Sequence, residues 1–425
     1  MQSATTPRLP TWLVGSGVIA IAMGVMNVST YAFTILAARV LGPNEYGALA
    51  AVMGLLLVVN VVSLGLQATG ARRVSASPEH LTHIEARIMS ASYRSATVLG
   101  LLCLAAVPLV TWLLRLDSWL TAALLAVTIV PLTVMGGQAG ILQGERRWLP
   151  LAGIYLMTGL GRVVFGVVAL LLAPHALGAM VGVAIGAFAP AVLGWFALRH
   201  PSRQQDRREG ISAEPGWPRG NVLKEVAHNS HALLAFFALS NADVVIARSV
   251  LPDEASGLYA GGLILAKAVL FLPQFVVVIA FPSMAEAGAR RSTHLKGLGL
   301  VLGIGAAATA GAWVLPELAI MFIGGEAYAE LEPIIWAFAA VGTLLAMIQL
   351  MVYSVVARQH QRSVFVVWAG LVTLLALAPV VESVSFLLTT VVVVETCVLL
   401  VLLALSLRQP RPAAVDVGAV APPPG

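Results

Sequence analysis

Charge is scarce in this chain. Charged residues make up 11% of its 425 positions, where a water-soluble chain carries roughly 25%. That shortage excludes a soluble domain of this length. Cysteine is nearly missing: Cys103 and Cys397 both sit inside apolar runs and read as buried apolar residues, which excludes a disulfide framework or a thiolate metal pair. No GxxxxGK[ST] run occurs, which excludes a P-loop ATPase. No Asp-x-Asp pair offers a metal-nucleotide site, and no GxSxG elbow occurs. No hydrophilic loop is large enough to hold a catalytic domain, so an enzyme is not expected. What is abundant is apolar sequence, at 59% hydrophobic residues and a mean hydropathy of +0.90. Apolar runs near or above ~18 residues recur along the whole chain, each long enough to cross a ~30 Å hydrocarbon core as a helix. The chain reads as an all-α polytopic membrane protein.

Twelve spans are expected. They run over Trp12–Ala37, Gly47–Thr69, Ile88–Leu114, Trp119–Leu142, Leu151–Leu172, Leu177–Leu198, Ala227–Ala247, Gly257–Phe281, Leu295–Leu315, Ile334–Val356, Val364–Val380 and Ser385–Leu407. The first run is too long for a signal-peptide core, so it reads as a retained helix. Alternate connections are strongly basic. Twenty of the 25 Lys and Arg fall on one side, Arg39, Arg115 and Arg248 on the other, and Arg162 and Lys267 inside spans. The positive-inside rule then places both termini in the cytoplasm. It also accounts for the net charge of +5 without nucleic acid as a partner.

The chain repeats itself. Arg39-Val40-Leu41-Gly42-Pro43-Asn44-Glu45-Tyr46-Gly47 turns tightly between two apolar runs, because Gly and Pro punctuate helices. Val250-Leu251-Pro252-Asp253-Glu254, with Gly257 beyond, echoes it. Gly70-Ala71-Arg72-Arg73 is echoed by Gly288-Ala289-Arg290-Arg291. Two homologous six-helix lobes are expected, over 1–198 and 222–407. A flexible cytoplasmic linker over 199–221 and a disordered tail over 408–425 complete the division. Paired halves around a midplane site are the mark of a transporter. Pro131 and Pro273 are mid-span and read as bending points. Gly182 and Gly186 have the small-xxx-small spacing of close helix approach.

Ionisable groups within spans are the most informative residues, since each costs about 2.5–3.5 kcal/mol at a span centre. Lys267 and Arg162 lie near the middles of their spans and are expected to line a cavity. A basic cavity suits an anionic headgroup such as a diphosphate, and Gln274 and Gln138 are candidates to hydrogen-bond the rest of it. Asp243 has two readings: a structural ion pair with Arg39 or Arg248, or a gate that meets Arg39 when the outer side closes. Glu395 is a second candidate for coupling. His228 and His231 share a face and read as a solvated interfacial pair. His80 and His83, with Glu79 and Glu85, show no further converging ligands, so no metal is expected.

The stretch from Arg39 to Gly47, the turn Leu142-Gln143-Gly144-Glu145-Arg146-Arg147, and Asn241-Ala242-Asp243 with Leu258-Tyr259-Ala260 and Phe281-Pro282 carry a resemblance. Together they resemble the polysaccharide and O-antigen flippases of the multidrug/oligosaccharidyl-lipid/polysaccharide exporter superfamily. The resemblance implies a MATE-like V of two six-helix lobes around a cavity. It implies translocation of polyprenyl-diphosphate-linked oligosaccharide across a bacterial plasma membrane by alternating access. It places Arg39 and Asp243 at the family's charged motif positions. Membrane lipids, and glycosyltransferases and a polymerase of the same pathway, are the implied partners. No cofactor is implied, while coupling to a proton or sodium gradient through Asp243 or Glu395 is. Two alternatives stay open: a cation-coupled drug exporter on the same fold, and a non-transporting scaffold for cell-wall enzymes.

Overall fold

The computed structural model describes residues 11–199, 222–285, 291–357 and 363–408. The body of the expected linker, the tail beyond 408 and Gly288-Ala289-Arg290 of the second echo lie outside them. Every regular element among the described residues is a helix. Those crossing the bundle are α1 (Thr11–Val59), α2 (Val61–Ala76), α3 (Leu81–Ala105), α4 (Val107–Leu113), α5 (Trp119–Gly144), α6 (Trp148–Leu172), α7 (Ala176–Leu198), α8 (Val222–Val250), α9 (Asp253–Ala285), α10 (Arg291–Val314), α12 (Ile335–Ala357), α13 (Val364–Leu377) and α14 (Val384–Arg408). A short helix, α11 (Pro316–Ile323), and a 3-10 stretch (Glu326–Ile334) fill the connection between α10 and α12.

The expected spans all appear, with local differences that have causes. The first two are separate helices within α1 that meet at the Gly42-Pro43 turn. The break there is confined to Gly42, at φ 67 and ψ 177, a left-handed conformation that glycine adopts without a steric penalty. The second span is interrupted at Asn60 and continues as α2. The third is divided into α3 and α4, where Pro108 stands in the first turn of α4 and cannot continue the ladder of α3. Pro131 lies inside an unbroken α5. The side chains of Pro273 and Gln274 lie outside the described residues. Cys103 is buried, but Cys397 is exposed on α14, so the expectation of two buried cysteines holds for one.

Helices α1 to α7 pack among themselves, as do α8 to α14, and the seam between the sets is made by α1 against α8 and α9 and by α2 against α8. The two copies of the repeated motif meet on this seam. A Cβ added to Gly47 would stand 2.9 Å from the Cα of Gly257, so only the absence of side chains lets the backbones touch. In a bilayer the hydrophobic effect does little to join helices, and close packing of small residues does the work. Gly186 does the same within the first set: a Cβ there would sit 2.8 Å from the carbonyl carbon of Gly161 and 3.1 Å from the backbone nitrogen of Arg162. That contact draws α7 onto α6 at the level of Arg162.

Candidate functional site: a cavity on the seam

Between α1, α6, α8 and α9 lies a cavity of about 160 Å³. Its wall is mostly apolar, from Phe33, Leu49, Met53 and Leu263, and two cations break it: Arg162 from α6 and Lys267 from α9. The expected cavity-lining cations are therefore brought together, one from each set of helices. Arg162 has no hydrogen-bond or ion-pair partner among the described residues. Lys267 Nζ donates to Asn241 Oδ1 at 2.6 Å. Two cations in an apolar wall without a directly bonded acid are costly, and an anion entering the cavity relieves that cost. Tyr31, which motif and charge reasoning passed over, also lines the cavity. Its buried hydroxyl has no partner, and its ring meets Phe271 edge-on at 6.1 Å between centroids.

Behind Lys267, the interior of the second set holds an acidic group. Asp243 is 2% exposed. Its Oδ1 accepts from the Val244 backbone at 2.8 Å, and its Oδ2 accepts from the Tyr259 hydroxyl at 3.1 Å. Lys267 and Glu395 both act on it electrostatically. Glu395 is 1% exposed, and its Oε2 has no partner. Neither expected ion pair of Asp243 forms. Arg39 is exposed and donates to the Met321 carbonyl at 2.6 Å, and Arg248 pairs with Asp253 at 3.2 Å. The partners are taken elsewhere: Asp243 is bonded to Tyr259 of α9 inside the second set, whereas Arg39 and Arg248 are committed to contacts at the Gly42 end. Gln138 is also elsewhere. It is buried in α5 and lines a separate pocket near the ends of α3, α5 and α7, not the cavity. His231 is half-buried, and its Nε2 accepts from Trp368 Nε1 at 3.1 Å. The side chain of His228 lies outside the described residues.

The Gly42 end is fastened across the seam in a reciprocal way. Arg248, 3% exposed, donates from Nε to the Leu114 carbonyl at 2.9 Å and from Nη2 to the Arg115 carbonyl at 3.2 Å. Arg115 returns bonds to the carbonyls of Arg248 and Leu251. Its backbone is left-handed, at φ 46. Arg39, the counterpart of Arg248 in the first motif copy, reaches the opposite set at Met321. Close by, the Tyr328 hydroxyl donates to the Ala38 carbonyl at 3.2 Å. Each arginine thus grips the connection that follows the third span of the other set. Glu45 holds its own set together by accepting from the Ala176 backbone N–H at 2.7 Å, at the positive start of α7. At the opposite, basic end, Arg72 and Arg73 of α2 both bind Glu225 of α8, with Arg73 Nη2 at 2.7 Å.

A bundle of apolar helices in two packed sets, with a charged cavity on the seam, is the arrangement of the MATE-like fold. Solved structures agree. The chain superposes on an outward-facing multidrug resistance MATE family transporter of the MOP superfamily with a TM-score of 0.61 at 15% identity, covering 93% of this chain and 95% of that one. It superposes on a eukaryotic MATE transporter with a TM-score of 0.61 at 14% identity, over 92% and 93%. For the MATE multidrug transporter DinF-BH the TM-score is 0.59 at 13% identity, over 96% and 98%. No curated protein matches the sequence. Residues 13–288 match the family described as polysaccharide biosynthesis protein, and the chain belongs to that family.

Proposed function

We propose that the protein is a flippase. It carries polyprenyl-diphosphate-linked oligosaccharide from the cytoplasmic to the outer leaflet of a bacterial plasma membrane, with both termini in the cytoplasm. The observation that carries this reading is the pair Arg162 and Lys267 on one cavity wall without a directly bonded acid, which suits a diphosphate better than a cationic drug. The headgroup docks there while the polyprenyl chain stays in the bilayer. The halves 1–198 and 222–407 then rock about the seam, and the contacts at the Gly42 end open as those at the basic end tighten. Asp243 and Glu395 take up a proton or a sodium ion to bias the cycle. The membrane potential adds ~2.3 kcal/mol per charge per 100 mV in favour of outward movement of an anion.

The test is complementation of a host that lacks its own flippase for a surface polysaccharide. The wild type restores polymer. Arg162→Ala with Lys267→Ala does not, although the protein accumulates in the membrane. Normal polymer from that double variant would remove the cavity cations from the mechanism. A second reading, a cation-coupled drug exporter, is favoured by the mostly apolar cavity wall and the buried Asp243 and Glu395. It predicts dye efflux that needs those carboxylates and tolerates loss of Arg162.

A further inference from the structure

The largest pocket among those described is not on the seam. It has a volume of about 980 Å³ and sits in the first helix set at the basic end, where α3 begins and α5 and α7 finish. None of its lining residues lines the central cavity. Gln138 stands in its wall, 2% exposed, and the buried Oε1 of its amide has no partner. That oxygen is packed against Gly194 of α7, so it belongs to the contact between α5 and α7 and the charged walls define the pocket.

Its other walls carry charge of both signs. Arg199 stacks on Trp195, with Cζ 3.8 Å from the ring centroid, which leaves the guanidinium edge free to donate. Arg146 is exposed in the left-handed region at φ 58 and makes no side-chain bond among the described residues. Arg147, by contrast, is already committed to the Ala197 carbonyl at 3.0 Å and to Glu145 at 3.7 Å. Across from these, the 3-10 turn Pro78–His80 brings Glu79, paired with His80 at 3.2 Å, and the start of α3 brings His83 and Glu85.

Above the pocket, α5 packs on both α3 and α7. On the outer face of α5, Val127 and Val130 are exposed at 45% and 37%, and Val130 lies beside Gly100 of α3. From Gln138 to Val127 this apolar strip extends ~16 Å along the helix axis, the length of much of an acyl chain. Trp195 and Tyr93 stand at the pocket, as interfacial aromatics do. Basic pockets between spans on the cytoplasmic side are places where phospholipid headgroups bind.

We infer that this pocket binds a glycerophospholipid with a primary amine in its headgroup. The phosphate sits on Arg146 and Arg199, and the ammonium faces Glu79. The acyl chains run over Val130 and Val127. This site is distinct from the cargo cavity and does not depend on the identity of the cargo. The experiment is native mass spectrometry of the full chain in detergent, titrated with dioleoyl-phosphatidylethanolamine, with dioleoyl-phosphatidylglycerol and with inorganic phosphate. The wild type retains one phosphatidylethanolamine at least tenfold more tightly than Arg146→Ala with Arg199→Ala, and about fivefold more tightly than phosphatidylglycerol. Glu79→Gln, a change at an exposed position, narrows the second ratio without altering the first. Unfolding temperatures without lipid show whether the variants fold, and the Glu79→Gln result stands if the arginine variant does not. Equal retention by folded arginine variants overturns the site. Equal retention of phosphatidylglycerol overturns the amine assignment. Occupancy by inorganic phosphate that displaces the lipid overturns the lipid assignment.

Discussion

Replacing Arg248 with Gln should open the Gly42 end of the bundle. Two backbone carbonyls, those of Leu114 and Arg115, lose a charged donor held at 2.9 and 3.2 Å. A hydrogen bond to a charged group contributes about 1.5–3 kcal/mol. The Asp253 contact adds little, since that carboxylate is 52% exposed and such pairs contribute roughly 0–1 kcal/mol. Part of the loss is offset, because water reaches the carbonyls once the end parts. A net loss of about 2–4 kcal/mol shifts the equilibrium towards the state open at the Gly42 end, the outward side in the proposed cycle, by about 30- to 700-fold. The assay is labelling of a cysteine placed at Met53, on the cavity wall, with both native cysteines replaced by alanine. A membrane-impermeant maleimide is added outside intact cells. Arg248→Gln should label at least tenfold faster than its parent. Arg248→Lys should fall between, because an ammonium keeps the charge but not the planar fork. Unchanged labelling in a folded Arg248→Gln protein would show that these bonds do not hold the end closed.

Other consequences follow from the same contacts. Gly47→Leu drives a side chain into the backbone of Gly257. It should separate the motif copies and speed labelling at Met53 as Arg248→Gln does, with a lower unfolding temperature. Tyr31→Phe removes a buried hydroxyl that has no partner. It should leave the unfolding temperature unchanged or slightly raised while transport falls about tenfold, the cost of one hydrogen bond to cargo; a stability loss with normal transport would make Tyr31 a packing residue. At the basic end, Arg73 and Glu225 are 15% and 17% exposed. A double-mutant cycle of Arg73→Ala with Glu225→Ala should give a coupling of about 1–3 kcal/mol in unfolding, and a coupling near zero would leave that contact without weight. Gly186→Leu should displace α7 from α6 beside Arg162 and reduce transport more than it reduces protein in the membrane.

Much of the fold was legible in the residues because lipid imposes a simple demand. Each span must satisfy its own backbone, so long apolar runs are helices. The turn at Gly42 and Pro43 was legible for the same local reason, and φ 67 at Gly42 is the conformation such a turn requires. Arg162 and Lys267 stood out because charge within a span is rare. Depth in the membrane can be counted along a sequence, but direction around a helix cannot, and that is where the reading failed. Asp243 and Arg39 are close to the same end, yet Asp243 faces Tyr259 and Arg39 faces Met321. Gln138 lies well inside its span, yet it faces a pocket within one helix set. Tyr31 was invisible because an aromatic residue in an apolar run reads as packing, and only its unpartnered hydroxyl sets it apart. Beyond their pairing with Asp253, Arg248 and Arg115 grip backbone carbonyls of the other set, and no residue type marks a carbonyl as a partner.

The central claim is that Arg162 and Lys267 receive the diphosphate of a lipid-linked sugar. Its most direct measurement uses the purified protein in liposomes loaded with polyprenyl-diphosphate-linked oligosaccharide, with a lectin reporting how much sugar reaches the opposite leaflet. The wild type should move the lipid, and Arg162→Ala or Lys267→Ala should slow it at least tenfold, with Lys267→Arg retaining most of the rate. Transfer at the wild-type rate by the double alanine variant, in correctly inserted protein, would contradict the account.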